Sequence, residues 1–320
     1  MSFSLDSLQI DCEKTVNQLT ETLKKQVHVQ MNRSGAVVGT SGGIDSAVVA
    51  ALCAKAFGQK KMLGVLLPDK DSSPESSKLG KLLAKTYGYE YITEDITSSL
   101  EGADCYARRD EAIARVFPEY KPGWKAKIVL PTKILEQSQL NIFKLTVTSP
   151  NGEPKTKRLP LKEYLEIVAA SNMKQRTRMM VLYYHAEKLN YAVIGTGNKN
   201  EHEQGFFVKY GDGGADCKPI AHFFKTQVFQ LAEYLEVPKE IRTRTPTTDT
   251  YPDEQTQEEF FFGLKFKTMD LIWYALENNI PIDEVSRVMD LKPEQIQRVW
   301  NDLKQKKRTT EYLRMAPLHI

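Results

Sequence analysis

The stretch best suited to chemistry is residues 41–46, which read SGGIDS between an apolar pair and a run of small apolar residues. Glycines between a strand and a helix let backbone N–H groups close around an anion, because the first N–H groups of a helix have no intrahelical partner. The stretch lacks the lysine of the GxxxxGK[ST] loop, and GxGxxG is absent. It therefore predicts a phosphate-binding turn of another kind; the alternative is a plain turn capped by Asp45 and Ser46.

The carboxylate in this turn carries a further implication. Asp45 would repel bound phosphates unless a cation lay between them. Carboxylates together with substrate phosphates are the usual ligands of Mg²⁺ in proteins. The turn thus predicts a magnesium ion as cofactor.

The elements that would position this turn follow from hydrophobic periodicity. Residues 5–30 have the spacing of an amphipathic helix, whose apolar stripe needs a partner. Apolar runs of strand length at 36–38, 62–68, 89–93 and 191–196 alternate with helical patterns. This alternation predicts a doubly wound α/β fold, with a parallel sheet covered by helices on both faces. Such sheets bind ligands at the carboxyl ends of their strands.

One region interrupts the alternation. In residues 117–165, Asn151-Gly152 separates FKLTVT from TKRLPL, which is a strong hairpin signal. We predict that this region is a β-ribbon insertion in a single domain spanning residues 1–320. Residues 268–320 are predicted to form a helical C-terminal portion.

Composition excludes several classes of protein. The 320 residues carry a net charge of only +3, so neither nucleic acid nor a membrane surface is an expected partner. The four cysteines stand far apart without a CxxC pair, which argues against a zinc site or disulfides and for a reducing compartment. No signal peptide pattern is visible, and no apolar run reaches the ~18 residues of a membrane span. We expect a cytoplasmic protein.

Three segments carry a resemblance to a known family. SGGIDS resembles the pyrophosphate loop of the N-type ATP pyrophosphatases, which have an adenine nucleotide alpha hydrolase-like fold. Residues 195–216, GTGNKNEHEQGFFVKYGDGGAD, resemble the long signature of the NAD synthetases, and KQRTRM at 174–179 resembles a third segment. By these motifs the chain resembles the ammonia-dependent NAD synthetase family.

The resemblance implies an activity and its partners. A member of this family adenylates the carboxylate of nicotinic acid adenine dinucleotide with ATP and amidates it with ammonia, giving NAD, AMP and pyrophosphate. ATP is the co-substrate, and Mg²⁺ the cofactor. A homodimer is implied, for which the predicted helix 5–30 is a candidate interface. Only about thirty-five residues precede the loop, too few for a glutaminase domain, so ammonia is expected free or from a separate protein.

The resemblance also implies roles for individual residues. Expected at ATP are Gly39, Ser41, Gly42, Gly43, Asp45, Ser46, Thr196, Lys225 and Thr247. Expected at nicotinic acid adenine dinucleotide are Arg176, Tyr183, Phe206, Lys209, Asp212, Asp216 and Lys307. Asp45 and Glu201 would bind Mg²⁺, and Asp45, Lys225 and Asp216 would act in catalysis.

Some of these residues also have ordinary alternatives. A lysine at a helix start, as at Lys225, is otherwise a solvated surface residue. Phe206 would either stack on a ring or simply pack. Asp216 would hydrogen-bond a ribose, accept a proton from ammonium, or belong to an Asp-Gly turn.

Other functions stay open at this point. An amide ligase of the same fold could use a different carboxylate, because residues 117–165 depart from the family pattern just before the expected dinucleotide contacts. Residues 283–300 resemble a helix-turn-helix and precede the basic stretch KQKKR, which would suit a nucleic-acid-binding module. A catalytically inactive regulator is disfavoured because Asp45, Glu201 and Lys225 are all present.

Overall fold

The computed structural model describes residues 3–129, 134–135, 143–245 and 263–319. The strands are β1 Ala36–Gly39, β2 Met62–Leu66, β3 Glu90–Thr93, β4 Lys125–Val129, β5 Lys144–Thr148, β6 Pro154–Arg158 and β7 Ala192–Ile194. The helices are α1 Cys12–Lys24, α2 Ile44–Phe57, α3 Pro74–Tyr87, α4 Thr97–Gly102, α5 Cys105–Val116, α6 Leu161–Leu189, α7 Lys199–Gln204, α8 Lys225–Tyr234, α9 Lys239–Arg242, α10 Phe266–Glu277, α11 Ile282–Met289, α12 Pro293–Thr309 and α13 Glu311–Arg314.

A four-stranded parallel sheet of order β3-β2-β1-β7 forms the centre of the fold. Its inner strands are apolar on both faces, as expected for strands covered by helices on each side. Ala36 and Val38 of β1 pack with α1, α2 and α8, whereas Val37 between them packs with α4, α5 and α6. The predicted doubly wound α/β fold is confirmed.

Helix α1 differs from the predicted helix 5–30 at its start and in its partner, whereas a π-helical segment, Lys25–Gln30, continues it to the predicted end. It begins at Cys12 rather than near residue 5, because the Asp11 side chain accepts a hydrogen bond from the Lys14 N–H and caps the helix. Its apolar stripe, including Val16 and Leu23, is buried in the core against α2 and α8 of the same chain. The stripe has its partner within the chain, so our reason for placing this helix at a dimer interface was wrong.

The β-ribbon is confirmed as a small antiparallel sheet of order β4-β5-β6. Gly152 has a φ of +83° in the turn between β5 and β6, a conformation that favours glycine. The sheet has its own apolar core, in which Ile128 and Val147 pack with Ile113 of α5 and Ile167 of α6. The ribbon is therefore anchored on α5 and on the first turns of α6.

The C-terminal helices α10 to α12 share a second apolar core with Phe224 at the start of α8. Two of the basic residues that follow the helix-turn-helix-like pattern form ion pairs within the chain. Lys306 pairs with Asp302 at 2.9 Å and Lys307 with Glu203 at 2.5 Å. These pairs weaken the case for a nucleic-acid-binding module.

Two further expectations concern the whole chain. Among the helices of the described residues, none has the combination of length and apolar character that crossing a bilayer requires. All four cysteines are free, and Cys53, Cys105 and Cys217 are buried.

Candidate active site

A cleft of about 610 Å³ opens at the carboxyl edge of the parallel sheet. Its walls come from the turn after β1, from α6 and from the segment that follows β7. The sequence-predicted residues that line it are Gly39, Ser41, Gly43, Asp45, Ser46, Arg176, Thr196, Glu201, Phe206, Lys209, Asp212 and Lys225. Segments far apart in the chain thus meet at one place.

The turn after β1 presents the start of α2 to this cleft. Gly42 has a φ of +75°, and a Cβ there would lie 2.6 Å from the Ser76 carbonyl oxygen, so only glycine fits. The Ser46 hydroxyl donates to the Gly43 carbonyl oxygen at 2.9 Å, which closes the turn. No side chain of the described part of the chain caps α2. The N-terminal N–H groups of α2 are therefore directed at the cleft, as an anion site requires.

Four residues form a charged cluster beside this turn. The Lys225 ammonium makes an ion pair with Asp45, and the Lys225 side chain exposes no surface. Asn198 is also fully buried, and its side-chain amide donates to Asp45 Oδ1 at 3.0 Å. The Asn198 backbone N–H donates to Glu201 Oε2 at 3.1 Å. The alternative of a solvated surface lysine at position 225 is wrong.

Two polar side chains behind this cluster, those of Asn200 and Asp270, fix the start of α8. The Lys225 backbone N–H donates to Asn200 Oδ1 at 2.9 Å, and the Asn200 amide donates to Asp270 Oδ1 at 2.5 Å. Asp270 on α10 also accepts from the Thr226 backbone N–H at 3.0 Å. Asp270 lies 70 residues from Asn200, and nothing in the sequence pattern pointed to it.

The cluster has the chemistry of a cation site. Burial raises the pKa of Glu201, and the neighbouring negative charge of Asp45 raises it further. A divalent cation between the two carboxylates would relieve this repulsion. Within the described ranges no group of three or more metal-ligating side chains occurs, so substrate phosphates and water would supply the other ligands. Asp45 and Glu201 thus fit a magnesium ion held jointly with a nucleotide.

The opposite wall of the cleft contains the predicted dinucleotide residues. The Arg176 guanidinium donates to the Lys209 carbonyl oxygen at 3.2 Å. The Lys209 ammonium donates to the carbonyl oxygens of Tyr312 and Met315, at 3.0 and 2.9 Å. Asp212 accepts from the Val208 backbone N–H at 2.9 Å. These bonds join the middle of α6, the glycine-rich segment and the C-terminal segment.

The structure places other predicted residues elsewhere. The Tyr183 hydroxyl lies 2.7 Å from the Gly214 carbonyl oxygen and 2.8 Å from Asp216 Oδ1, and Asp216 Oδ2 accepts from the Val193 N–H. These contacts tie the glycine-rich segment to β7. Asp216 therefore holds this segment in position, and the contacts do not support the prediction that it accepts a proton from ammonium. Lys307 pairs with Glu203 away from the cleft wall. Thr247 lies outside the described residues.

Several cleft residues were missed by sequence reasoning. They are Phe143, Tyr164, Ser171, Asn172, Arg178 and Arg244. Arg178 stands inside the KQRTRM segment and Asn172 just before it, so their position was a usable signal. Phe143 and Tyr164 belong to the predicted insertion, where no motif marked them.

A second buried charged cluster lies behind the cleft wall. The Lys174 ammonium is 2.6 Å from Asp71 Oδ2 and 3.3 Å from Asp69 Oδ2. Arg178 also contacts Asp69, at 3.1 Å, and Arg109 makes an ion pair with Asp71. Burial opposes ionisation of Asp71, but Arg109 and Lys174 together hold its pKa below the ordinary value. This cluster joins α5, α6 and the loop after β2.

Comparison with known families and sequences gives one consistent result. Residues 15–116 and 128–316 match the family profile described as NAD synthase. The chain is 50% identical over 311 residues to the NH(3)-dependent NAD(+) synthetase of Mesorhizobium japonicum, covering 97% of each chain. It is 48% identical over 315 residues to that of Rhizobium meliloti, covering 98% of this chain and 94% of the relative.

Solved structures share the fold at low sequence identity. An NMN synthetase from Francisella tularensis aligns with a TM-score of 0.67 and 23% identity, covering 98% of this chain and 99% of that one. An NH3-dependent NAD synthetase from Campylobacter jejuni aligns with a TM-score of 0.62 and 22% identity, covering 97% and 100%. At these identities the likeness establishes the fold alone.

Proposed function

We propose that this chain, which belongs to the NAD synthase family, is an ammonia-dependent NAD synthetase. It would adenylate the carboxylate of nicotinic acid adenine dinucleotide with ATP and amidate it with ammonia, releasing AMP and pyrophosphate. The observation that carries this proposal is the single cleft in which the turn at 41–46, the Lys225–Asp45 pair and Glu201 face Arg176.

The need for ATP follows from the chemistry of the carboxylate. A carboxylate is a poor electrophile, and its oxygen leaves badly, whereas a mixed anhydride with AMP has a good leaving group. Charge develops on the departing pyrophosphate, and the N–H groups at the start of α2, which no side chain of the described residues caps, would stabilise it. Lys225 adds a fixed positive charge beside Asp45 at the same turn.

Magnesium is proposed as the cofactor of this site. Asp45 and Glu201 would hold it together with the phosphates of ATP, since their mutual repulsion favours a bound cation. When bound, Mg²⁺ neutralises phosphate charge and stabilises the leaving group. Asn198 would keep both carboxylates in place through its side chain and its backbone N–H.

The source of nitrogen is proposed to be ammonia, free or delivered by another protein. The reacting species is the neutral base, so ammonium must lose a proton before attack. We also propose that the protein is cytoplasmic. Its four cysteines are free, which suits a reducing compartment.

A homodimer is proposed, with α6 rather than α1 at its interface. Leu165, Met180 and Tyr184 are 56%, 61% and 58% exposed, and they lie within about 100° of the helix circumference. Arg176 lies on the same face and also lines the cleft, so a partner on this face would lie beside the acceptor site. Exposed apolar stripes of this kind mark contact surfaces.

Sedimentation would test the interface. Met180→Glu is expected to convert a dimer into a monomer, whereas Val29→Glu, at a residue 74% exposed on another surface, should leave the dimer intact. A dimer that survives both substitutions would remove α6 from the interface.

The function itself is tested by measuring pyrophosphate release with ATP, Mg²⁺, ammonium and a panel of carboxylic acids. Nicotinic acid adenine dinucleotide is expected to give the highest kcat/KM and to yield NAD. If another acid were used while this one gave no turnover, the alternative of a different amide ligase would replace the proposal.

A further inference from the structure

We propose that the β-ribbon and the first half of α6 form a stacking subsite for the far, adenylate half of the dinucleotide substrate. The inference rests on the proposed function and deepens it, because it assigns part of the substrate to residues outside the family motifs. Its central residues are Phe143 and Tyr164, both of which line the cleft.

The two aromatic rings form one rigid wall. Their centroids are 4.2 Å apart with an interplanar angle of 18°, so the rings are stacked. Both pack against the apolar core of the ribbon, which contains Leu145 and Ile167. The inner faces of the two rings cover each other, so the pair offers the cleft its remaining apolar ring surface, already held in place before a ligand binds.

Distance along α6 decides which part of the substrate can reach this wall. Leu182 is level with the end of β1, because a Cβ on Gly39 would lie 3.3 Å from its side chain. Tyr164 precedes Leu182 by eighteen positions on the same helix, about 27 Å at 1.5 Å per residue. A substrate whose carboxylate reacts near the turn at 41–46 can touch Tyr164 only with its opposite end.

Polar groups further along α6, from about 10 Å beyond Tyr164, suit the sugar and the polar edge of a bound nucleoside. Ser171 lines the cleft at 3% exposure, and its hydroxyl has no hydrogen-bond partner among the described residues. A buried hydroxyl without a partner is costly, so a ligand that supplies one gains affinity. Asn172 and Gln175 line the next part of the same wall with side-chain amides that donate and accept.

These features together favour a planar nitrogen heterocycle attached to a sugar. Aromatic side chains stack on bases with little dependence on sequence, and amides and hydroxyls bond their edges. Adenine is the base at the far end of the proposed substrate. The β-ribbon would therefore act in substrate selection and would favour the dinucleotide over its mononucleotide half.

Steady-state kinetics of Tyr164→Ala would test this subsite. The KM for nicotinic acid adenine dinucleotide is expected to rise about 10-fold, the loss typical of one base–aromatic stack. The KM for ATP should not change, which also reports an intact phosphate end. Tyr164→Phe keeps the ring and should behave like the wild type.

Trp124→Ala is the matched control. Trp124 belongs to the same ribbon core but does not line the cleft, so its loss should not raise the KM for the dinucleotide. Phe143→Leu provides a second disruption of the wall that keeps apolar volume, in case Tyr164→Ala destabilises the ribbon. It is expected to raise the same KM.

A truncated substrate separates this inference from the proposed function. Wild-type enzyme should use nicotinic acid mononucleotide with a much lower kcat/KM than the dinucleotide, and Tyr164→Ala should narrow that difference. Equal use of both compounds by the wild type, or an unchanged ratio in Tyr164→Ala, would overturn the subsite alone. Absence of any turnover of the dinucleotide by the wild type would overturn the proposed function instead.

Discussion

Lys225 and Lys174 are both buried lysines paired with aspartates, yet they stand in different surroundings. Lys225 pairs with Asp45, whose side chain is 15% exposed and lines the cleft. Lys174 pairs with Asp71 and with Asp69, and the Asp69 side chain has no exposed surface. The first pair borders a place where a ligand can enter, whereas the second is enclosed by protein.

From this difference we expect the Lys225 cluster to act in function and the Lys174 cluster to act in stability. Around Lys174 the arginines Arg109 and Arg178 supply further positive charge, so its two carboxylates are satisfied without any ligand. Around Lys225 two carboxyl groups, Asp45 and Glu201, lie together at the cleft, and burial and the charge of Asp45 raise the pKa of Glu201. Two neighbouring carboxyl groups beside a cleft are suited to share a bound cation, and a buried cluster whose carboxylates are both ion-paired is suited to fix the fold.

The largest effect is expected from Asp45→Asn. This change keeps the volume of the side chain but removes the charge that Mg²⁺ and Lys225 require, so turnover should fall by at least about 1,000-fold. Stopped assays of pyrophosphate release and circular dichroism would measure turnover and fold together. A normal rate would remove Asp45 from the mechanism.

The second largest effect is expected from Lys225→Met, which should lower kcat by about 100-fold. Methionine fills the space of the lysine stem, and Asp45 still accepts a hydrogen bond from Asn198. The free energy of unfolding, measured in urea, should therefore fall less for Lys225→Met than for Lys174→Met. If this variant lost stability and kept its kcat, the proposed contrast between the two lysines would be reversed.

Lys174→Met should act mainly on stability. Removing one partner of an enclosed ion pair leaves charge without compensation, and the free energy of unfolding should drop by about 3 kcal/mol. The kcat per folded molecule should stay near that of the wild type. Lys24→Met, at an exposed pair with Glu21, is the matched control and should change stability by less than about 1 kcal/mol.

Of the four substitutions, Glu201→Gln should have the smallest effect. It tests whether the Lys225 cluster, unlike the Lys174 cluster, binds a cation. One carboxylate fewer at the cleft is expected to raise the Mg²⁺ concentration for half-maximal activity by about 10-fold. Glu203→Gln, two positions along the chain at a residue paired with Lys307, should leave this concentration unchanged. An identical magnesium response in both variants would count against Glu201 as a ligand.

Several features could be predicted because they depend on neighbours in the chain. The turn at 41–46 needs glycines and a helix start within six residues, and the strand and helix patterns repeat over short distances. The hairpin at Asn151-Gly152 is equally local. For α1 the stripe was recognised correctly, but periodicity cannot say whether the partner is in the same chain or in another one.

The residue pattern was therefore sufficient for the α/β fold, for the phosphate-binding turn and for the resemblance to a family. Folding was required to bring Asp270 behind Asn200, to enclose Lys174 between two aspartates and to place Phe143 against Tyr164 at the cleft. The physical reason is that local patterns depend on backbone geometry and apolar spacing over a few residues. Burial, pKa shifts and shared walls arise only when distant segments exclude water from the same place.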